Sequence, residues 1–216
     1  NMSNNGLNFT GTPVEFFRQL YFDFNDYVSL IHAPNKLKQS YCIFPSNDAS
    51  NLRQHVFYSI GLEELKAICA TTIEQDLPVW FTANVSGRAD FDRKLMECYS
   101  IDYELLFGIK DANILGEEIS GEGIKIHKME QRCISPNHAM IFTGIHKEGD
   151  DVLRWKVQNS WGDEYADLVM STAWFEENVF EIVVPKKNCA HILKNMTGPA
   201  INLDAWDILG DVAHAY

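Results

Sequence analysis

Four short apolar or alternating segments punctuate the second half of the chain: Met140 to Ile145, Val152 to Val157, Leu168 to Met170 and Phe180 to Val184. They constrain the fold more than any other feature. Runs of this length bounded by turn residues read as strands, being too short for amphipathic helices. Glu148-Gly149-Asp150-Asp151 joins the first two as a hairpin, which makes that pair antiparallel. Ser171 to Asn178 interrupts the series as a short helix, with Trp174 and Phe175 turned to the core.

The first half is more helical. Thr12 can cap a helix that opens with Pro13, and Glu15 completes a capping box. Phe17, Leu20, Tyr21 and Phe24 then fall on one stripe, which predicts burial. Tyr27 to His32 is rich in strand formers and stops at Pro34-Asn35. Leu62, Leu65, Cys69 and Ile73 mark a second amphipathic helix, and Pro78-Val79-Trp80-Phe81 a buried strand. The Gly- and Glu-rich stretch from Gly116 to Gly123 reads as a surface loop. Helices followed by antiparallel strands give an α+β class. Trp80, Trp155 and Trp161 are expected in or beside the core. Thr197-Gly198-Pro199 separates residues 1–196 from a final segment, 197–216, that is too short to fold alone.

Composition removes several classes of function. The formal charge is −12, and the longest basic cluster is the pair Lys186-Lys187. Phosphate binding needs clustered Lys and Arg, so neither nucleic acid nor an anionic membrane is an expected partner. No stretch approaches the roughly 18 consecutive apolar residues of a membrane span. The opening residues Asn1 to Gly6 contain no apolar run that could act as a secretory signal. Five cysteines, widely spaced and without a CxxC pair, suit neither a disulfide framework nor a zinc site. A cytoplasmic setting is expected, and the three Asn-x-Ser/Thr sequons at Asn8, Asn84 and Asn195 read as chance.

The segment richest in chemistry is Asn137-His138-Ala139-Met140, followed by Gln158-Asn159-Ser160-Trp161-Gly162. A lone histidine at a strand end is ordinarily a satisfied structural residue. Here His138 and Asn159 lie at the outer ends of two strands joined by a hairpin, and antiparallel pairing can bring those ends together. An amide oxygen beside an imidazole fixes its tautomer and leaves the other ring nitrogen for a thiol proton, as Cys-His-Asn peptidases require. Trp161 can cover the His–Asn hydrogen bond, which strengthens in weakly polar surroundings.

Asn-His-Ala-Met followed by Asn-Ser-Trp-Gly resembles the papain-like cysteine peptidases. The segments Pro78 to Phe81, Tyr103 to Gly108, Leu168 to Phe175 and Ala205-Trp206-Asp207 are similar to the bleomycin hydrolase and aminopeptidase C branch. The likeness runs from about Thr12 to Gly210 but corresponds to the carboxyl-terminal half of that family. It implies the antiparallel β-sheet or barrel lobe that carries His and Asn, with flanking helices. It implies His138 and Asn159 as catalytic residues, with Trp161 and Asn137 in support. It further implies peptide substrates with a free amino terminus and, beside them, bleomycin-like amides, no metal or organic cofactor, and a homo-oligomer, a hexamer in the family. The family's carboxyl-terminal arm limits cleavage to a free amino end, and Leu203 to Asp207 with Gly210 match it.

The family's nucleophile has no counterpart here. Its cysteine lies in a Gln-x-x-x-x-x-Cys-Trp context on a helix of the other lobe, and none of Cys42, Cys69, Cys98, Cys133 and Cys189 has that setting. The segment Gly162 to Asp167 is also shorter than the family's corresponding loop. The expectation is therefore a His/Asn lobe whose partner, the amino-terminal Cys lobe, is missing. A different class of reading is a non-catalytic interaction or assembly module that keeps the fold. In either case the face of the missing lobe is expected to be covered by self-association, or by the chain's own arm through Trp206 and Leu209.

Overall fold

The structure is a computed structural model and describes residues 10–20, 23–43, 55–87, 89–98, 105, 121–204 and 207–209. The strands are β1 (Tyr27–Ile31), β2 (Gln39–Ile43), β3 (His55–Ser59), β4 (Val79–Ala83), β5 (Ala89–Asp90), β6 (Leu95–Met96), β7 (His138–Glu148), β8 (Asp151–Gln158), β9 (Asp167–Ser171), β10 (Val179–Pro185) and β11 (Ile201–Asn202). The helices are α1 (Pro13–Gln19), α2 (Leu62–Glu74), α3 (Gly121–Glu130), α4 (Thr172–Asn178) and α5 (Ala190–Asn195). The eleven strands of the described residues form one sheet in the order β11-β2-β3-β1-β10-β4-β7-β8-β9-β6-β5. Its pairs are antiparallel except β1–β3, β11–β2 and β6–β9. The class is α+β, as the segment pattern predicts. Among the described residues no helix is long and apolar enough to cross a membrane.

The β7–β8 hairpin turns at Gly149, whose φ of +62° suits a residue without a Cβ. Phe142 of β7 and Trp155 and Val157 of β8 point to one face and are fully buried. They meet Phe81 of β4 and Phe175 of α4 in an aromatic column, with Phe142 stacked on Phe81 at 3.8 Å and Trp155 on Phe175 at 4.7 Å. Leu62, Leu65, Cys69 and Ile73 of α2 close over this core. Leu30 and Ile31 are neighbours in β1 yet join different clusters, because successive strand residues point to opposite faces. The second cluster gathers Ile31, Tyr41, Phe57, Met129, Ile134, Phe180 and, from the last segment, Leu209. Leu209 is thus covered by residues of this chain, and Lys36 pairs with Asp207 beside it. Trp206 lies outside the described residues.

Three expectations are corrected. The capping box at Thr12 and Glu15 forms, but no residue of α1 is buried: Phe17 is 38%, Leu20 48% and, beyond the helix, Phe24 70% exposed, with Phe17 and Phe24 stacked at 5.4 Å. Tyr21 lies outside the described residues. Periodicity fixes which residues share a face, but not whether another surface meets that face. In the stretch from Gly116 to Gly123, the last three residues open α3 instead of a loop; 116–120 lie outside the described residues. Glycine is a poor helix former on its own, and here tertiary contacts override that preference. Trp161 is 46% exposed and not part of the core, whereas Trp155 is fully buried and Trp80 half-buried.

One of those contacts is the Lys125 side chain of α3, which is fully buried. Its ammonium donates to the Val179 carbonyl and lies 4.4 Å from the Phe180 ring centre. Lys128 on the same helix pairs with the buried Glu177 of α4. His32, also fully buried, donates from Nδ1 to the Ile60 carbonyl at 3.0 Å. In the neutral ring Nε2 then carries no proton and faces Glu122 Oε1 at 3.1 Å, a contact that is favourable only when the ring is protonated. Burial, with the nearby Lys125 charge, pushes the His32 pKa down to about 4 against the Ile60 hydrogen bond. Burial likewise lowers Lys125 to about 7, against the attraction of Glu122.

Two outcomes follow from the packing. Phe142→Ala should cost about 3–5 kcal/mol in urea unfolding, because it opens a void at the centre of the aromatic column. The Lys125 pKa is lower folded than unfolded, so its contribution to stability is present above 10.5 and is lost as pH falls toward about 7. Relative to Lys125→Met, the natural chain should therefore gain stability as pH rises through that interval, by on the order of 1 kcal/mol per pH unit. Urea midpoints of both proteins across the interval measure it.

Candidate active site

The register between β4 and β7 sets one side of the site. Ala83 stands opposite His138, and the Asn137 N–H donates to the Ala83 carbonyl at 3.0 Å, so β7 begins at the histidine. The Asn137 side chain clamps the loop after β4: Oδ1 accepts from Val85 N–H at 2.9 Å, and Nδ2 donates to Ser86 Oγ at 2.6 Å. Asn84 Nδ2 reaches across to the Ser135 carbonyl at 2.6 Å. The sequon Asn84-Val85-Ser86 is thus occupied internally, holding the entry to the histidine.

The β7–β8 pairing supplies the other side. Ile141 stands opposite Gln158, and Asn159 follows directly. The Asn159 N–H donates to the Ala166 carbonyl at 2.7 Å, closing the loop that carries Trp161. Gly162 within it has φ +92° and ψ 171°, a combination essentially restricted to glycine.

His138 Nε2 lies 2.9 Å from Asn159 Oδ1. The same oxygen accepts from the Ser160 N–H at 2.8 Å. A backbone N–H can only donate, so this contact fixes which end of the amide faces the histidine. That oxygen can only accept, so Nε2 must carry the proton. The imidazole is then held in one tautomer, and Nδ1 is left as a proton acceptor with no partner among the described residues. His138 is half-buried and Asn159 buried. The Trp161 ring lies 4.5 Å from the imidazole, inclined at 34°, and Phe91 stands 5.0 Å from the indole. Trp161 thus stands beside the imidazole as a half-exposed ring.

Phe91 and Asn84 complete this surrounding, and sequence reading does not find them. Phe91 lies between β5 and β6, and no local pattern ties it to Asn159. Asn84 carries only the sequon, whose usual meaning points outward. A hollow of about 440 Å³ lined by Trp80, Ala139, Met140, Ile141, Gln158, Asn159 and Ser160 adjoins the pair. A larger one of about 780 Å³, between α2 and the β7–β8 hairpin, includes neither His138 nor Asn159 and is not where this chemistry sits.

No thiol contacts His138. Cys42, Cys69, Cys98 and Cys189 are buried, and Cys133 is exposed on the segment before β7. Burial alone raises the Cys69 pKa well above its usual value; it also raises that of Cys189, to about 11 against the opposing Lys186 charge. Both are inert core thiols, since the thiolate is the reactive form. Among the described residues no group of three or more His, Cys, Asp or Glu side chains could hold a metal ion.

A largely antiparallel sheet with helices packed on it is the fold of a papain-like peptidase lobe, and here a hairpin of that sheet brings an imidazole and an amide together. The chain belongs to the Peptidase C1-like family, whose family model matches residues 3–210. It is 30% identical to aminopeptidase C of Listeria innocua and 32% identical to bleomycin hydrolase of Gallus gallus, each alignment covering 94% of this chain and 45% of the relative. The crystal structure of PepW from Lactobacillus rhamnosis superposes with a TM-score of 0.79 at 24% identity, over 92% of this chain and 45% of that one. The chain spans about half the length of the curated relatives it matches.

Gly162→Ala should cost about 1–3 kcal/mol through backbone strain alone, since no atom lies within 4 Å of the added Cβ. Urea unfolding measures the loss, and a change near zero would mean that the loop readily adopts another path.

Proposed function

We propose that the chain is the His/Asn-bearing half of a cytoplasmic thiol aminopeptidase that removes amino-terminal residues from peptides. The nucleophilic cysteine and the oxyanion donor come from an amino-terminal lobe outside these residues. The observation that carries this reading is the bond of His138 Nε2 to Asn159 Oδ1 at 2.9 Å beneath Trp161, which leaves Nδ1 unoccupied. The names aminopeptidase C and bleomycin hydrolase among the relatives support the substrate class.

In the complete site, Nδ1 takes the proton of the attacking thiol. The resulting imidazolium keeps its Nε2–H on Asn159, whose oxygen stabilises the positive ring and holds its plane. Nδ1 then returns the proton to the departing amine, so one nitrogen acts first as base and then as acid. Asn159 accepts throughout and is not a proton carrier. Trp161 limits water around the bond, which is stronger in weakly polar surroundings. The substrates are peptides with a free amino terminus, and the working form is an assembly of identical subunits.

The lack of any thiol at His138 favours a second reading, a non-catalytic module that keeps the fold, and activity separates the two. The purified 216-residue chain should not hydrolyse fluorogenic aminoacyl amides. Turnover that is blocked by a thiol alkylator, and lost on substituting one of the five cysteines, would overturn the proposed division of the site. In the full-length polypeptide, His138→Ala should lower kcat/KM by about 10²- to 10⁴-fold, the usual contribution of a positioned acid–base group. Asn159→Ala should lower it by less. A full-length protein without activity would favour the module.

A further inference from the structure

Trp161 is 46% exposed, so burial alone does not fix its ring. It follows Asn159 by two residues on a loop that returns to the sheet only at Ala166. Among the described residues its ring meets His138 at 4.5 Å and Phe91 at 5.0 Å, the latter inclined at 57°. That tilt leans toward the edge-to-face arrangement, in which one ring's edge meets another's face favourably.

Phe91, by contrast, is well held. It is half-buried and packs against the main core. Its carbonyl accepts from Lys94 N–H at 3.1 Å, and Asp90 Oδ1 accepts from Arg93 N–H at 3.0 Å, which closes the turn between β5 and β6. The turn is tied onward to β9: Val169 N–H donates to the Lys94 carbonyl at 2.9 Å, and the fully buried Met96 pairs with Met170. A fixed ring from the far edge of the sheet therefore backs a loosely held one over the His138–Asn159 bond.

We infer that Phe91 is a positioning residue for this site: it holds Trp161 over the imidazole and so determines how well the His138–Asn159 hydrogen bond is kept from water. It touches neither His138 nor Asn159 and acts through the indole. An aromatic pair of this kind biases a covered-to-open equilibrium about two- to tenfold. The inference rests on the proposed role of His138 for its meaning, but its test reads the hydrogen bond itself and not peptide cleavage.

The test uses the whole chain, with nuclear magnetic resonance of the His138 ring. Phe91→Leu keeps apolar volume and removes the ring; Phe91→Tyr keeps both. Phe91→Leu should speed solvent exchange of the His138 Nε2–H about two- to tenfold, and should reduce the shift that the indole ring current imposes on the His138 carbon-bound protons. Phe91→Tyr should behave as the natural chain. In a Trp161→Ala background Phe91→Leu should add nothing, because the indole through which it acts has been removed. The inference is overturned if Phe91→Leu lowers thermal stability yet leaves exchange and ring-current shifts unchanged. It is equally overturned if the effect persists undiminished without Trp161. Loss of peptidase activity with these signals intact would count against the proposed function alone.

Discussion

The pairing of β7 with β8 carries more of this molecule than any other contact. It lies inside the sheet, flanked by β4 and β9, and presents Phe142, Trp155 and Val157 to the main core. Its two outer ends are His138 and Asn159. A slip of one residue would turn the aromatic column toward solvent and carry the imidazole to the other face. Stability and site geometry are therefore set by one register, and the core burial that holds the register also holds a hydrogen bond of 2.9 Å.

Around that hairpin the chain fixes the site mainly with amides. Asn137 and Asn84 lock the approach to His138, and Asn159 uses one oxygen for both the imidazole and the Ser160 N–H. Neutral amides bring directional bonds to a partly buried surface without the desolvation cost of a charge. Deeper in the molecule the opposite choice is made. Lys125 and Glu177 are buried with hydrogen-bonding or ionic partners, and they tie α3 to α4 and to the start of β10. Because α3 leads by a short segment into Asn137 and His138, this polar anchoring bears on the site's support as well as on the helix.

The strands of the second half, the hairpin, the Thr12 cap, the α2 stripe and the His–Asn juxtaposition were all legible in the sequence. Each is written in a local signal: a period, a turn residue, a spacing across a hairpin. The burial state of α1, the start of α3 at Gly121, the exposure of Trp161 and the part played by Phe91 were not. Those depend on which distant surfaces meet. Nothing near Phe17 tells whether another surface will cover it, and nothing near Phe91 points to an indole from the loop beyond β8.

By itself the sequence determined the α+β class, the antiparallel hairpin and the pair of residues at its ends, because periodicity and turn chemistry act over a few residues. Only the tertiary structure decided the tautomer of His138, the internal use of the Asn84 sequon and the support of Trp161 by Phe91. Each of these requires atoms from separate strands or loops to come within hydrogen-bonding or stacking distance. That closeness comes from the packing of the whole sheet and has no local signature in the chain.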